Sequence, residues 1–162
     1  MTDQVEKATT TPGQTLGGLF ALVPDGKQHY AMIGRIVVAH STLEFALNSL
    51  LAKVFKLDVE EGLILTTHLP WRTRLDALKS WSKLPVVREA IGEKTAALVD
   101  QLEKVNRARN DVVHGLFIEE EDSLHILNIK ARGQLTTTSK DLSNVTELQK
   151  VHDDLIRITW TV

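Results

Sequence analysis

The sequence predicts a mainly α-helical bundle with a small antiparallel β-hairpin or meander just before its last helix. Three observations carry this. Apolar residues recur at helical spacing over two long stretches, about 28–55 and 93–114. Asp58 with Glu61, then Pro70, then Pro85 punctuate shorter helical segments between them. After Gly115 the period drops to about two, and helical spacing returns only from Leu148 to Ile158.

Each element has its own reason. Residues 1–25 hold Thr9-Thr10-Thr11-Pro12-Gly13 and Gly17-Gly18 and sustain no period, so they are expected to form a flexible arm. Residues 26–162 are expected to form one domain. In the first helix Ile33, Ile36, His40, Leu43, Leu47, Leu51 and Val54 share a face. Leu57-Asp58 breaks it, and Asp58 with Glu61 reads as a capping box for a short second helix. Pro70 starts a third helix carrying Leu75, Leu78 and Trp81. Pro85 restarts the chain and Gly92 is expected to interrupt it, leaving the long helix to run from about Glu93 to His114. Gly115 is placed to end that helix in the usual position after the cap. The β-meander spans about 116–139: Leu116-Phe117-Ile118, an acidic turn Glu119–Asp122, Leu124–Ile129, and a third strand from Gln134 to Thr138 after Gly133. Asn144 and Glu147 resemble a second capping box, opening a helix with Leu148, Val151, Leu155 and Ile158 on one face.

Composition narrows the function. A chain of 162 residues is long enough for one domain with a sizeable core. The net charge of -2 gives no global basic field, which argues against a DNA-coating protein and leaves room for a local phosphate site. The absence of cysteine excludes disulfides, thiol catalysis and cysteine-ligated metal. Met1–Glu6 lacks the basic and apolar regions of a signal peptide, and no apolar run reaches membrane-spanning length, so a cytoplasmic protein without membrane contact is expected. There is no phosphate loop, dinucleotide fingerprint or nucleophile elbow. No cofactor and no metal are expected; His40 and Glu44, at i and i+4, are a weak pair of ligands at most. Lys53, Lys56, Arg72 and Arg74 read as ordinary solvated charges.

The chemistry concentrates at Arg109-Asn110-Asp111-Val112-Val113-His114. Leu98, Leu102, Val105, Val112 and Leu116 fall in one sector of the long helix, and Arg109 falls in the same sector. A guanidinium there must be paired or functional, because it cannot lose its proton. On the first helix His40 and Glu44 also intrude on the apolar stripe, and two intrusions on facing helices suggest that Glu44 holds Arg109, directly or through water. Such a pair either supports a site or only fixes helix register. His114 is the residue best suited to proton transfer near neutral pH, although a helix C-terminus favours histidine for its charge alone. Five residues separate Arg109 from His114, so on an ideal helix their directions differ by roughly 140°. Trp81 is expected in the core; Trp71 and Trp160 are open between core, dimer contact and base-stacking surface.

Arg109-Asn110-x-x-x-His114 resembles the Arg-x(4–6)-His motif of the HEPN superfamily, the nucleotide-binding domains of higher eukaryotes and prokaryotes. The resemblance covers roughly residues 28–117 and the last helix. The placement of the motif at the end of a later long helix, and of Leu43-Glu44 midway along the first, belongs to it. It implies a HEPN-like bundle and a metal-independent RNA endonuclease, toxin-like or defence-related. It implies a homodimer whose two motifs share a cleft, with an antitoxin or other protein partner possible. His114 would exchange protons with the 2′-hydroxyl or the leaving 5′-oxygen. Arg109 would bind the scissile phosphate, and Asn110 would orient it. The same resemblance also admits a non-catalytic helical module that binds a nucleotide or a protein.

Overall fold

In the computed structural model, residues 27–120, 123–131, 135–141 and 145–162 are described. The expected arm, the acidic residues Glu121 and Asp122, the turn glycine Gly133 and the cap residue Asn144 lie outside them. The architecture is mainly helical, with a three-stranded antiparallel sheet before the C-terminal helix.

Helix α1 (Lys27–Val54) is the axis of the bundle. Met32, Ile36, Ala39, Leu43, Leu47 and Leu51 form its buried stripe, with His40 among them. It ends in a six-residue closing motif, in which Leu57 N–H donates to Ala52 O at 2.9 Å and Lys56 N–H to Lys53 O at 3.1 Å. Lys56 occupies the left-handed position there, with φ 56°.

Helix α2 (Val59–Thr66) opens on the expected capping box: Glu61 N–H donates to Asp58 Oδ1 at 2.8 Å, and Asp58 N–H donates to Glu61 Oε2 at 3.2 Å. Gly62 lets this helix touch α1, since a Cβ there would overlap the Cβ of Ala52. Helix α3 (Trp71–Trp81) follows Pro70, which serves as its N-cap. Trp81 packs against the core, as its spacing from Leu78 predicts.

Helix α4 (Pro85–Val113) corrects one expectation. It begins at Pro85 and runs through Gly92 without interruption. Proline at the first position is pre-set for a helix, and one glycine costs only about 1 kcal/mol, less than the packing of Thr95, Val99, Leu102 and Val105 returns.

Strands β1 (Leu116–Glu120), β2 (Ser123–Ala131) and β3 (Leu135–Asp141) form a meander in the order β1-β2-β3. Leu116 pairs with Leu127, and Leu127 with Ser139. Leu124 and Ile126, two residues apart, turn one face of the sheet into the core. Gly115 is needed for this joint, and not for a left-handed turn: a Cβ there would lie 2.7 Å from both Asp111 O and Ile126 Cγ2.

Helix α5 (Thr146–Thr159) closes the bundle against α1, burying Leu148, Leu155 and Ile158. Each fully buried side chain of this size contributes roughly 1.5–3 kcal/mol. The capping box expected of Asn144 and Glu147 falls on a residue outside those described; the Glu147 carboxylate accepts from Lys140 Nζ of β3 at 2.9 Å. Val145 is the N-cap and offers no side-chain acceptor.

Candidate functional site

The polar residues of α1, α3 and α4 meet on one side of the core. The expected Glu44–Arg109 pair is not among their contacts. Glu44 Oε1 instead accepts from Arg74 Nη1 at 3.2 Å. Arg74 is held from three directions, because Nε donates to Leu69 O at 2.9 Å and Nη2 reaches Thr67 O at 3.4 Å. These carbonyls belong to the turn before α3, so the fork is anchored there with one arm free to meet Glu44. The reading of Arg74 as a solvated charge is thereby corrected: it is 6% exposed. Arg72, Lys53 and Lys56 are exposed, as expected.

With Glu44 occupied, Arg109 turns along its own helix. Its Nη1 donates to Asn110 Oδ1 at 2.9 Å. Its Nε is buried without an acceptor. Among the described residues no carboxylate comes within ion-pairing distance of this half-buried guanidinium. An unmet buried donor on a charged group is costly.

His40 links the two arginines. Its Nε2 lies 3.1 Å from Asn106 Oδ1, and its Nδ1 lies 3.7 Å from Glu44 Oε2. Its ring packs against Trp71 with centroids 5.1 Å apart. The pKa of His40 is pushed below its ordinary value, first by burial and then by the charge of Arg109. Glu44 and the Asn106 contact pull the other way, and Arg74 adds a smaller lowering. A neutral ring donates from Nε2 to Asn106, and its contact with Glu44 becomes an ion pair only on protonation. Arg74 and Glu44 offset one another, so with His40 neutral the sum over these four described residues is one positive charge, that of Arg109. The ring is 4% exposed with both nitrogens facing protein groups, which makes it part of the frame.

His114 stands apart from that cluster. It is exposed and forms the C-cap of α4, at φ -107° and ψ 1°, with its backbone N–H still donating to Asn110 O at 3.0 Å. Among the described residues its ring makes no hydrogen bond to Arg109 or Asn110. The helical turn nevertheless continues to it. At 100° per residue, Glu103, Asn106, Arg107, Asn110 and His114 fall within an arc of about 100°. Arg109 starts outside this stripe and leans back into it through its bond to Asn110. Asn110 therefore connects two directions that diverge at the backbone.

The structure brings together Arg109 with Asn110, and His40 with Glu44. Sequence reasoning missed Arg74 and Asn106. A signal existed for both. Arg74 lies four residues before Leu78 on the apolar face of its helix, and Asn106 lies one turn before Asn110. Among the described residues no three His, Asp or Glu side chains are grouped as metal ligands. No helix among them is long and apolar enough to cross a membrane.

Comparison with protein-family models, with curated proteins and with solved structures finds no match to this chain.

Proposed function

We propose that this chain is a HEPN-type, metal-independent RNA endonuclease, toxin-like or defence-related, that acts as a homodimer. One observation carries the reading: Arg109 is a half-buried cation with no carboxylate partner among the described residues, fixed by Asn110 on the stripe that ends in the exposed His114. An oriented guanidinium stabilises charge as it develops on a phosphate. An exposed imidazole serves as proton acceptor for the ribose 2′-hydroxyl. RNA supplies its own nucleophile, so positioning, a base and a fixed cation suffice. The 2′-hydroxyl proton passes to His114 as the 2′-oxygen–phosphorus bond forms and the bond to the 5′-oxygen breaks; the leaving 5′-oxygen takes up a proton from water, and the His114 imidazolium returns its proton to solvent. The products are a 2′,3′-cyclic phosphate and a 5′-hydroxyl.

The exposed Val38 and Phe45, seven residues apart on one face of α1, support self-association. A dimer would supply a second Arg109–His114 set facing the first.

The separation of the His114 ring from Arg109 favours a second reading, a non-catalytic HEPN-like module that binds a nucleotide or a protein partner. An RNA cleavage assay in EDTA separates the two, with wild type beside Arg109→Ala and His114→Ala and the product ends identified. The nuclease reading expects cyclic phosphate ends from wild type alone. A folded wild type inert on varied RNAs transfers the weight to the binding module.

A further inference from the structure

A cleft of about 460 Å³ opens between the start of α3 and the C-terminal half of α4. Trp71, Arg72 and Leu75 form one wall; Glu103, Asn106 and Arg107 form the other. We propose that this cleft is a nucleotide subsite for single-stranded RNA. It takes the nucleotide next to the phosphate held at Arg109, stacks the base on Trp71 and neutralises the adjoining phosphate with Arg72 and Arg107. The inference rests on the reading of Arg109 as a phosphate anchor.

The place of the cleft is the first argument. Asn106 is shared between it and the polar cluster, through the 3.1 Å contact with His40. Asn106 and Asn110 are one turn apart, about 6 Å along the helix axis. That distance is comparable with one nucleotide step along a single strand, so a chain gripped at Arg109 and Asn110 places its neighbour here.

The lining is the second. Trp71 is half-buried and backed by the His40 ring at 5.1 Å, so its plane is set before any base arrives. Stacking on such a ring is tolerant of base identity. Asn106 spends its carbonyl on His40 and keeps its NH2 group to donate to a base edge.

The charges are the third. The Arg72 and Arg107 side chains are 85% and 71% exposed, and their ion pairs to Asp76 and Glu103 are long, at 3.7 and 3.6 Å. Exposed pairs of this kind hold their partners weakly, and a phosphate offers both guanidinium groups a better one. Asp76 and Glu103 balance the two arginines at rest, so a phosphate gains by displacing these long contacts, not from a standing positive excess.

The test is fluorescence anisotropy with a 5′-labelled, mixed-sequence RNA hexamer. It uses the full chain with His114→Ala as the parent, so that RNA is not consumed. Arg72→Ala, Arg107→Ala, Trp71→Leu and Trp71→Phe are compared in that background. Trp71→Leu and Arg107→Ala are expected to raise Kd about tenfold each, and Trp71→Phe to stay within about threefold of the parent. Arg107→Ala should also reduce the salt slope by about 0.7. Affinity unchanged in both arginine variants, whose exposed side chains do not threaten the fold, overturns the subsite. Absence of RNA binding by the parent overturns it as well. Cleavage by the same substitutions in the His114-containing protein is read in parallel. Subsite-dependent binding without cleavage removes the nuclease reading and leaves the subsite standing. Cleavage by wild type with every cleft variant binding and cutting like it does the reverse.

Discussion

Arg74 Nη1 donates to Glu44 Oε1 at 3.2 Å across the α1–α3 contact, and among the described residues Arg109 is left without a carboxylate. Arg74 also satisfies two backbone carbonyls of the turn before α3. Its loss removes one donor from Glu44 and from two backbone carbonyls at once, and leaves Leu69 O, the less exposed of the two carbonyls, short of its partner. Arg74→Met should lower stability by about 2–3 kcal/mol. Glu44 is more than a third exposed, so water can replace its partner, and Glu44→Gln should cost only about 1 kcal/mol. Urea denaturation of both variants checks the order. A larger loss in Glu44→Gln than in Arg74→Met would show that the carboxylate, and not the arginine fork, anchors the contact.

His40 makes stability depend on pH in a defined direction. Its folded pKa lies below the ordinary 6.5, by burial first and by Arg109 second. The unfolded chain therefore binds more protons than the folded one in the window below 6.5. The stabilisation is complete above that value and is lost as pH falls through it toward the folded pKa. His40→Gln removes the titrating group and should flatten this part of the curve. The urea midpoint of wild type minus that of the variant, followed from pH 8 to pH 5, should fall as the solution becomes acidic. A difference independent of pH would contradict the assignment.

Arg109→Lys keeps the charge and loses the planar fork that Asn110 orients. On the proposed nuclease reading, cleavage should fall about 10²–10³-fold, the range for loss of one oriented charge-stabilising group, with thermal stability nearly unchanged. Activity within a factor of three of wild type would mean that charge alone suffices there.

Lys56 sits at φ 56° in the closing turn of α1, a conformation that L side chains adopt at a cost of roughly 1 kcal/mol. Lys56→Gly should therefore stabilise by roughly 0.5–1 kcal/mol, since the side chain is exposed and glycine suits this position. Thermal unfolding reads the change as a rise in Tm; a fall would mean that the lysine makes a compensating contact.

Gly115 joins α4 to β1 where a methyl group would meet Asp111 O and Ile126 Cγ2, both at 2.7 Å. Gly115→Ala should cost about 1–3 kcal/mol, because one of the two neighbours is backbone. It should also displace His114 and reduce cleavage beyond what the stability loss explains. Equal loss of stability and unchanged cleavage per folded molecule would separate the glycine from the site.

The periodic elements and punctuation were legible in the residues alone. The α1 stripe, the Asp58–Glu61 capping box, the start of α3 at Pro70, the meander after Gly115 and the α5 face all follow from local spacing and turn chemistry. The motif Arg109-Asn110 and the break at His114 were legible for the same reason, as departures from a pattern. Local signals also misled. Gly92 reads locally as a break, and the helix crosses it because its neighbours pack.

The partnership of the charges was decided only by the tertiary structure. Helical spacing says that Glu44, Arg74 and Arg109 each point toward other helices; it does not say which helix each meets. That choice depends on the turn before α3, whose carbonyls capture Arg74 and aim it at Glu44. Once that bond forms, Arg109 folds onto Asn110, and Asn106 and Trp71 enter through His40. Periodicity is a property of one segment and is written in its residues. Pairing between segments is set by how they pack, and the chain encodes it only through the assembled fold.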